Sequence, residues 1–532
     1  MRQPANAKQA INFIASNFNI VSPIGGWNVV DSLANMPATD ALFLDNFWPT
    51  PTSVRLRKGW REYASLAEDN PLIQAHDIRG LLSYSSPTGI KRLFACDQTG
   101  IYDITEGDHI AIDSTPSTNG SWRGINISNA AGNFLFAYNG TDKAKLFNGS
   151  TWTILDDVAS PPLTDVSSED IVNATVFKSR VFMVIVESLS FYYLGVNAIS
   201  GKATEYPLGA IFDKGGTLIA CETWSLDSGE GIDDYIIFIT SEGEVAVYQG
   251  TDPSSALNWA LVGVYYIGRP LSYSCATKVG GDLLLLTVQG VYPLSKALQS
   301  ATTNKQIATS YKIQPAFDFY VSNGEGFYGW QILFYPSATM LLVNVPFKRD
   351  DPNNFLYSYQ FVMNTTHNSW ARFTGMASEV WGVHDNRLFF AKHNIVYEAL
   401  VGDRDGSNPI RGKAKQAFNT LGSSQYNKHV KLVKPIIEVN GGMGLRLGFD
   451  VDFKVDTALN THSTNTFADS ISYWDQDIWD NAVWTGNLIN ANWITVPNNV
   501  GMWFSLNLAV ETKDATISWI STQYSTISGG YI

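Results

Sequence analysis

The sequence predicts an all-β protein built on a β-propeller of about seven blades, with six to eight blades possible. Two observations lead to this fold class: a phrase that recurs along the chain, and a composition rich in aromatic residues and poor in charge. Each copy of the phrase is an apolar run, a short polar or glycine-bearing break, and a second apolar-aromatic run. The seven copies begin at Leu93, Phe134, Val181, Tyr235, Leu283, Met340 and Leu388. A supersecondary unit repeated at roughly 40–50 residues is typical of propeller blades.

The composition supports a protein that buries much surface in sheets and in subunit contacts. Apolar residues make up 45% of the 532 residues, aromatic residues 13% and charged residues only 16%. Aromatic side chains favour strands and are enriched in interfaces. The net charge of −13 argues against a duplex-DNA binder that neutralises phosphates, although DNA could pass such a protein without specific binding.

The chain is long enough for two or three domains. We expect an N-terminal arm and signature segment over residues 1–70, the propeller over 71–402, and a C-terminal β-sandwich-like domain over 403–532. The last region contains several alternating strands and a tryptophan-rich loop. In that loop Trp474, Trp479 and Trp484 recur every five residues, which fits neither a strand face nor a helical stripe.

Within the N-terminal region, local patterns predict two short helices and a strand. Apolar residues at helical spacing predict a helix over residues 5–18. Thr39 or Asp40 is positioned to cap a second, two-turn helix that Pro49 ends. A strand from Ser53 to Leu56 follows. A segment of this kind packs across the propeller or closes its ring.

Cysteine usage and the absence of targeting segments predict folding in a cytoplasm. Cys96, Cys221 and Cys275 lie far apart without a CxxC spacing, which speaks against a disulfide framework. Residues 1–20 lack the apolar run of a secretory signal, and no stretch reaches the length of a membrane span.

No catalytic or metal motif emerges, so the sequence predicts no enzyme, no cofactor and no metal. GxSxG and HExxH are absent. His384 and His393, nine residues apart on a presumed hairpin, are better interpreted as surface or turn residues. Asp450, Asp452 and Asp456 alternate along one strand, where a solvated face is the simplest interpretation and a structural calcium stays open.

A rival enzymatic interpretation starts from the SxDxGxTW turns of glycosidase propellers. Residues 149–152, Gly-Ser-Thr-Trp, match only the end of that phrase, and once. A glycosidase also needs two carboxylates flanking the bond. The candidates are Asp233, Asp234, Glu242 and Glu244, and nothing in the sequence brings them into one pocket.

Both flanks of the chain resemble a known family. Residues 35–64 match a phrase of the form M-x-x-x-D-A-x-x-L-D-N-x-x-P followed by a basic strand, a glycine and an aromatic residue. The matching positions are Met36, Asp40, Ala41, Leu44, Asp45, Asn46 and Pro49, then Arg55, Arg57, Gly59 and Trp60. Matching C-terminal phrases are residues 434–437, 448–453, the Trp-Asp pairs at 474–475 and 479–480, Trp484, residues 518–521, and Gly529-Gly530. In their order these motifs resemble the nozzle, or tail-tube, β-propeller proteins of short-tailed bacteriophages.

The resemblance implies a structural virion protein without catalytic activity. Six subunits would form a ring below the tail adaptor, with tail fibre or tip proteins beside or beneath it. Double-stranded DNA would pass through without specific binding, and assembly would take place in the host bacterial cytoplasm. Trp474, Trp479, Trp484 and Trp48 are the candidate subunit-interface residues, although the first three are as well suited to covering the sandwich's own core. The alternative function is a glycan-binding or carbohydrate-active propeller.

Overall fold

The structure is a computed structural model that describes residues 15–66, 76–108, 110–113, 115–156, 158, 162–227, 232–298, 305–348, 356–455, 488–490, 492–495 and 500–528. It divides into two compact units. The sandwich unit comprises Met1–Arg57 and Ser407–Ile532, and the propeller unit comprises Lys58–Gly406. In sequence, the propeller unit is therefore an insertion between the two segments of the sandwich unit.

The described part of the propeller unit contains seven small antiparallel sheets, which we number as blades in chain order. Blade 1 consists of Gly80–Ser85, Lys91–Cys96, Ile101–Asp103 and Ile110–Asp113. Blade 2 consists of Arg123–Asn129, Gly132–Tyr138, Lys145–Phe147 and Trp152–Ile154. Blade 3 consists of Ile171–Phe177, Arg180–Ile185, Ser190–Tyr193 and Thr204–Pro207. Blades 4 and 5 consist of Leu218–Asp227, Ile232–Thr240, Glu244–Gly250 and Trp259–Tyr266; and Ala276–Val279, Asp282–Thr287 and Gly290–Pro293. Blades 6 and 7 consist of Gln331–Tyr335, Met340–Lys348, Leu356–Asn364 and Ser369–Phe373; and Val380–His384, Arg387–Lys392, Ile395–Ala399 and Trp60–Ser65.

The blades form a closed ring. The first strand of each blade lies beside the next blade, and the first strand of blade 7 returns to the first strand of blade 1. Closure depends on Trp60–Ser65, which pairs antiparallel with Ile395–Ala399 as the fourth strand of blade 7. Residues 58–66 of the expected N-terminal region therefore belong to the propeller unit.

The seven recurring phrases are the second and third strands of the seven blades. This position explains why they dominate the sequence, because central strands of a blade are covered on both faces by neighbouring blades. In Met340–Lys348, for example, eight consecutive residues are buried. Apolar clusters fill the spaces between blades 1 and 2, 2 and 3, 3 and 4, and 7 and 1. The predicted all-β propeller is thus confirmed.

The propeller unit also contains short helices and short strand pairs in addition to the blades. Leu163–Thr164 pairs in parallel with Gly201–Lys202, and Arg404–Asp405 pairs with Trp60. The helical segments are Leu294–Ala297 and Gln314–Gly324, with 3-10 turns at Ser168–Asp170, Lys305–Ile307, Tyr311–Ile313 and Pro336–Ala338. No helix in the described ranges is long and apolar enough to cross a membrane.

The sandwich unit packs two antiparallel-rich sheets face to face. One contains Gly26–Trp27, Asp40–Asp45, Asn408–Gln416, Phe504–Thr512 and Gly444–Val451. The other contains Ala15–Val21, Phe47–Pro49, Val54–Leu56, Ile517–Ser528, Lys428–Val439, Leu488–Asn490 and Val500–Gly501. Tyr524 joins the sheets: its hydroxyl donates to Gln416 Oε1 at 2.9 Å and its ring lies 6.3 Å from that of Phe449.

The N-terminal segment contributes strands where the sequence predicted helices. Ala15–Val21 is a strand paired with Ile517–Ser528, so the helix prediction over 5–18 is wrong for its described residues. The predicted helix after Thr39 is also wrong, because Asp40–Asp45 and Phe47–Pro49 are strands. Their hydrogen-bonding partners are supplied by distant parts of the chain. The predicted strand ending at Leu56 is confirmed.

The interpretation of Asp450 as part of a solvated face is also wrong. Asp450 is 4% exposed and forms an ion pair with the equally buried Lys415. Asn507 donates a second hydrogen bond to the same carboxylate at 3.2 Å. Asp452 accepts from the backbone N–H groups of Met502 and Trp503, and Asp456 lies outside the described residues. These aspartates fix strand ends and the sandwich core.

Candidate functional site

The propeller unit contains a cavity of about 660 Å³ at one end of its first strands. The walls come from the chain around the starts of blades 1, 2, 6 and 7, and from the segments that precede blades 5 and 6. Among the lining residues are Arg79, Arg123, Tyr273, Tyr328 and Glu379. A volume of this size suits a small molecule rather than a nucleic-acid duplex.

Two arginines in the cavity wall are held by aromatic rings. Arg123 Cζ lies 4.7 Å from the ring centroid of Tyr273 and 5.9 Å from that of Tyr138. Arg79 Cζ lies 5.2 Å from the ring centroid of Tyr328, whose hydroxyl donates to the Arg79 backbone carbonyl at 2.7 Å. Such cation–π contacts orient a guanidinium group without using its N–H donors.

Within the described residues, neither guanidinium group has a carboxylate at ion-pair distance. Burial lowers the pKa of Arg123, since it disfavours the charged form. Burial raises the pKa of Tyr328, whereas a hydrogen bond with Ser121 and then the charges of Arg123 and Arg79 oppose that shift. Arg79, Arg123 and Tyr328 line the same cavity.

The two glutamates of the cavity are engaged elsewhere. Glu325 forms an ion pair with Arg269. Glu379 Oε1 lies 3.8 Å from His393 Nδ1, which is itself 3.1 Å from Asp77 Oδ1. Burial, and then the charge of Asp77, raise the pKa of Glu379 to about 7.

Within the part of the chain that the structure describes, Asp77, Glu379 and His393 have the spacing of metal ligands. One ligand atom from each lies within 4.8 Å of the others, and separations of 3 to 4 Å are about those of two ligands on one divalent cation. His393 is exposed in a turn, as the sequence suggested, whereas His384 is buried, with its Nδ1 2.9 Å from Ser83 Oγ. The two histidines therefore do not form a pair.

A further carboxyl group lies on the first strand of blade 4. Burial raises the pKa of Glu222 to about 7, and the charge of Lys278 only partly offsets the shift. The Lys278 ammonium group donates to the hydroxyl of Thr223. Glu222 is thus a half-buried acid whose titration midpoint lies near neutral pH.

The glycosidase candidates do not form a pair of catalytic carboxylates. Asp234 lies near the start of Ile232–Thr240 and binds Lys178 and Ser225. Glu244 begins the next strand, beyond the hairpin, and accepts hydrogen bonds from two backbone N–H groups. The two residues lie at opposite ends of blade 4. Asp233 adjoins Asp234, and Glu242 is exposed in the hairpin turn.

The turn that matched the end of the glycosidase phrase has a packing role. Trp152 lies 5.3 Å from the ring of Phe94 and 5.2 Å from that of Phe147, in the cluster between blades 1 and 2.

Of the predicted interface residues, only Trp48 lies within the described ranges. It is half-buried and pairs with Arg55 in the hairpin of Phe47–Pro49 and Val54–Leu56. Trp474, Trp479 and Trp484 lie outside the described residues.

The sequence analysis did not identify the cavity arginines, although a signal for them exists. Arg79-Gly80 and Arg123-Gly124 repeat one dipeptide at the start of successive blades, at positions 79 and 123. The interval matches the blade repeat. Arg-Gly pairs are common, however, and only the closed ring shows that these two face one cavity.

The residues of the N-terminal signature have architectural roles. Asn46 adopts a left-handed conformation (φ 61°), donates to the Arg411 carbonyl at 2.8 Å and accepts from Arg57 Nε at 2.9 Å. Asp40 is buried and accepts from Asn28 Nδ2 at 2.7 Å. Trp60 packs on Tyr397 and Phe390, with ring centroids 4.8 and 6.1 Å away.

Comparisons with known proteins give low similarity. No protein-family model matches the chain, and no curated protein matches it. Among solved structures, BBS1N in complex with ARL6DN is 10% identical, covers 66% of this chain and 99% of its own, and has a TM-score of 0.37. Chaetomium thermophilum Raptor is 10% identical over 65% of this chain and 29% of its own, with a TM-score of 0.37. The Pan2 WD40 domain of Neurospora crassa is 10% identical over 64% of this chain and 96% of its own, with a TM-score of 0.35.

Proposed function

We propose that this chain is a structural subunit of the tail nozzle of a short-tailed bacteriophage. In this role six copies form a ring below the adaptor and continue the DNA-ejection channel. The observation that carries the proposal is the signature segment of residues 35–64, whose residues build strands and strand junctions rather than a reactive site.

The signature supports a structural role in two ways. Asp40, Asn46 and Arg57 fix the strand crossings of the sandwich unit through buried side-chain hydrogen bonds. Gly59 and Trp60 lead into the strand that completes blade 7. A sequence motif whose residues make structural contacts of this kind is expected in a protein that must be rigid.

The closed ring of blades also suits a channel component. Apolar clusters between successive blades bury both faces of the sheets, and closure leaves few free strand edges. In a cyclic hexamer each subunit presents one surface to a different surface of its neighbour. Trp474, Trp479, Trp484 and Trp48 are the proposed contributors to that contact.

DNA would pass between the subunits of the hexamer, and not through the cavity of a single propeller. The net charge of −13 would oppose adhesion of DNA phosphates to the subunits. The channel therefore needs no specific DNA contact. Adaptor, fibre and tip proteins are the other proposed partners, in the virion and during assembly in the host cytoplasm.

Mass spectrometry of purified phage particles that encode this chain tests the proposal. We expect the chain in the particles at about the copy number of a six-fold tail component. Absence from washed particles, with the chain recovered only from the lysate supernatant, would contradict it. A monomer in native mass spectrometry of the isolated chain is compatible with the proposal, because ring formation can require the adaptor.

The second candidate is a glycan-binding propeller, which the central cavity favours. Carbohydrate-active function receives less support, since the candidate carboxylates of blade 4 lie at opposite ends of the blade. Glycan-array binding by the isolated chain, lost on substitution of cavity residues and accompanied by absence from particles, would favour this candidate over the nozzle.

A further inference from the structure

We propose that the central cavity of the propeller binds a small carboxylate-bearing molecule, whose carboxylate is held by Arg79 and Arg123. The inference is independent of the tail role, because it concerns the interior of one propeller unit. It rests on the cavity, on two guanidinium groups that have no carboxylate at ion-pair distance within the described residues, and on exposed tyrosine rings in the cavity wall.

The first argument is the unused donor capacity of the arginines. Each guanidinium group carries five N–H donors in a planar fork that matches a carboxylate. Each is half-buried and rests against tyrosine, yet within the described part of the chain neither has a carboxylate at ion-pair distance. A cation partly removed from water without a directly paired anion is destabilising, and a bound carboxylate would offset that cost.

The second argument is that the two arginines converge. They stand at the starts of the first strands of blades 1 and 2 and line the same cavity. Tyr328 lies in the same cavity wall, with its ring centroid 5.2 Å from Arg79 Cζ. The positive charges of Arg79 and Arg123 would both attract a carboxylate bound in this cavity.

Aromatic rings in the cavity wall are available to contact the rest of the ligand, beyond its carboxylate. Tyr273 and Tyr328 are 39% and 40% exposed, although they lie in the wall of a cavity. Phe327 and Ser272 extend the same wall, and the Ser272 hydroxyl accepts from Ser274 N–H, which leaves its own proton for a ligand. Exposed rings with a few polar groups are typical of small-molecule sites.

The charge of the wall selects among anions. Glu379 lies on the same wall as Arg79 and Arg123. Its carboxyl group would repel a doubly charged phosphate more than a singly charged carboxylate. The cavity therefore fits a monocarboxylate, such as a sugar acid, better than a phosphate ester.

Isothermal titration calorimetry of the full-length chain with glucuronate, acetate, glucose and inorganic phosphate tests the inference. We expect glucuronate to bind, acetate and phosphate to bind more weakly, and neutral glucose not to bind within the millimolar range. Added salt should weaken glucuronate binding. Tighter binding of phosphate than of glucuronate would overturn the carboxylate assignment, and no heat from either carboxylate at 10 mM, or equal binding of glucose, would overturn the site.

Variants at the arginines locate the binding. Arg79→Gln and Arg123→Gln should each weaken glucuronate about 10-fold or more, as expected for a charge-assisted hydrogen bond lost. Arg372→Gln is the matched control: Arg372 also lies over a tyrosine, 5.1 Å from the ring centroid of Tyr359, but does not line the cavity. Unchanged affinity in both cavity variants would contradict the proposal.

A conservative variant keeps the test valid if Arg123→Gln does not fold. Arg123→Lys retains the charge and the aromatic contact but loses the two-pronged geometry. We expect a native thermal transition and an affinity for glucuronate several-fold below that of the wild type. If Arg123→Lys bound glucuronate with wild-type affinity, Arg123 would make no bidentate contact with the carboxylate, and its assigned role would be overturned.

Discussion

At the scale of single residues, Gly59 lies where the backbone leaves no room for a side chain, in the segment that leads to blade 7. A Cβ atom at this position would lie 1.8 Å from the Arg404 carbonyl oxygen and 2.4 Å from its carbon. The obstacle is backbone in a paired segment, so the neighbouring strand would have to move. The requirement for glycine in the signature is therefore steric.

Gly59→Ala should lower the free energy of unfolding by about 1–3 kcal/mol or more, the usual cost of overpacking. Urea denaturation of the purified chain measures it. Gly326→Ala, in the same unit, is the matched control, because a Cβ there meets nothing within 4 Å. Equal midpoints for both variants would show that residues 404 and 59 are not in contact.

Glu222 makes stability depend on pH. Its pKa is raised from 4.5 to about 7 in the folded protein, so the folded state holds the proton more tightly than the unfolded chain. The free energy of unfolding should then fall as pH rises from about 4.5 to about 7 and level off above it. Glu379, shifted in the same direction by burial and Asp77, adds to this slope.

Glu222→Gln should raise the melting temperature at pH 8, because it removes a charge that burial disfavours, and should have little effect at pH 5, where Glu222 is protonated. Thermal denaturation at both pH values measures the difference. Glu242→Gln, an exposed glutamate of the same blade, serves as control. A gain of equal size at pH 5 and pH 8 would mean that Glu222 does not titrate between these values.

Residue-level chemistry was the hardest part to predict from the sequence. His393 meets Asp77 and Glu379, which lie 316 and 14 residues away in the chain, so only ring closure brings the three together. The sequence suggested that Asp450 is solvated, because aspartates at every second position of a strand share one face and a polar face usually meets water. The structure buries Asp450 against Lys415, from a strand about 35 residues earlier in the sequence, whereas Asp452 is exposed.

At the scale of elements, the strands inside the blades were the predictable ones. The second and third strands are apolar on both faces, because neighbouring blades cover them. The first strands vary: Arg123–Asn129 reads RGINISN and has only one buried residue, whereas six of the seven residues of Ile171–Phe177 are buried. Local pattern alone therefore identifies the blade but not all of its strands.

The two helix errors have one physical cause. Ala41 and Leu44 are fully buried, and their spacing of three residues also fits a helical face. Asp40–Asp45 is a strand because Asn408–Gln416 pairs with it from more than 360 residues away. Such tertiary pairing overrides local propensity.

Trp60→Ala tests the closing strand. The indole packs on Tyr397 and Phe390 and donates to the Gly375 carbonyl at 3.0 Å. Since Trp60 is only half-buried, we expect a loss of about 2–3 kcal/mol, below the range for a fully buried tryptophan. The urea midpoint measures the loss.

Trp60→Phe is the control, because it keeps most of the ring contacts and loses only the N–H donor. It should cost less than the alanine variant. If Trp60→Ala were as stable as the wild type, the strand Trp60–Ser65 would contribute little to closing blade 7.

At the scale of the whole molecule, the insertion of one unit into the other was not predictable from local sequence. The expected boundaries at residues 70 and 402 follow the visible repeat. In the structure the propeller unit begins at Lys58 and ends at Gly406, and the sandwich unit takes strands from both flanks. Both flanks of the chain therefore contribute strands to the same unit.

The composition set limits on function that the structure does not alter. Sparse charge, abundant aromatic residues and a net charge of −13 fit a subunit that associates with copies of itself and lets DNA pass. The proposed ligand site lies within the propeller unit and requires no catalysis. The structural role and the ligand site can therefore be tested separately.

Electron cryomicroscopy of phage particles that carry this chain tests the central claim most directly. We expect six copies at the distal end of the tail, below the adaptor, each with a seven-bladed ring whose seventh blade contains residues 60–65. Density for a different protein at that position, with this chain absent from the tail, would contradict it.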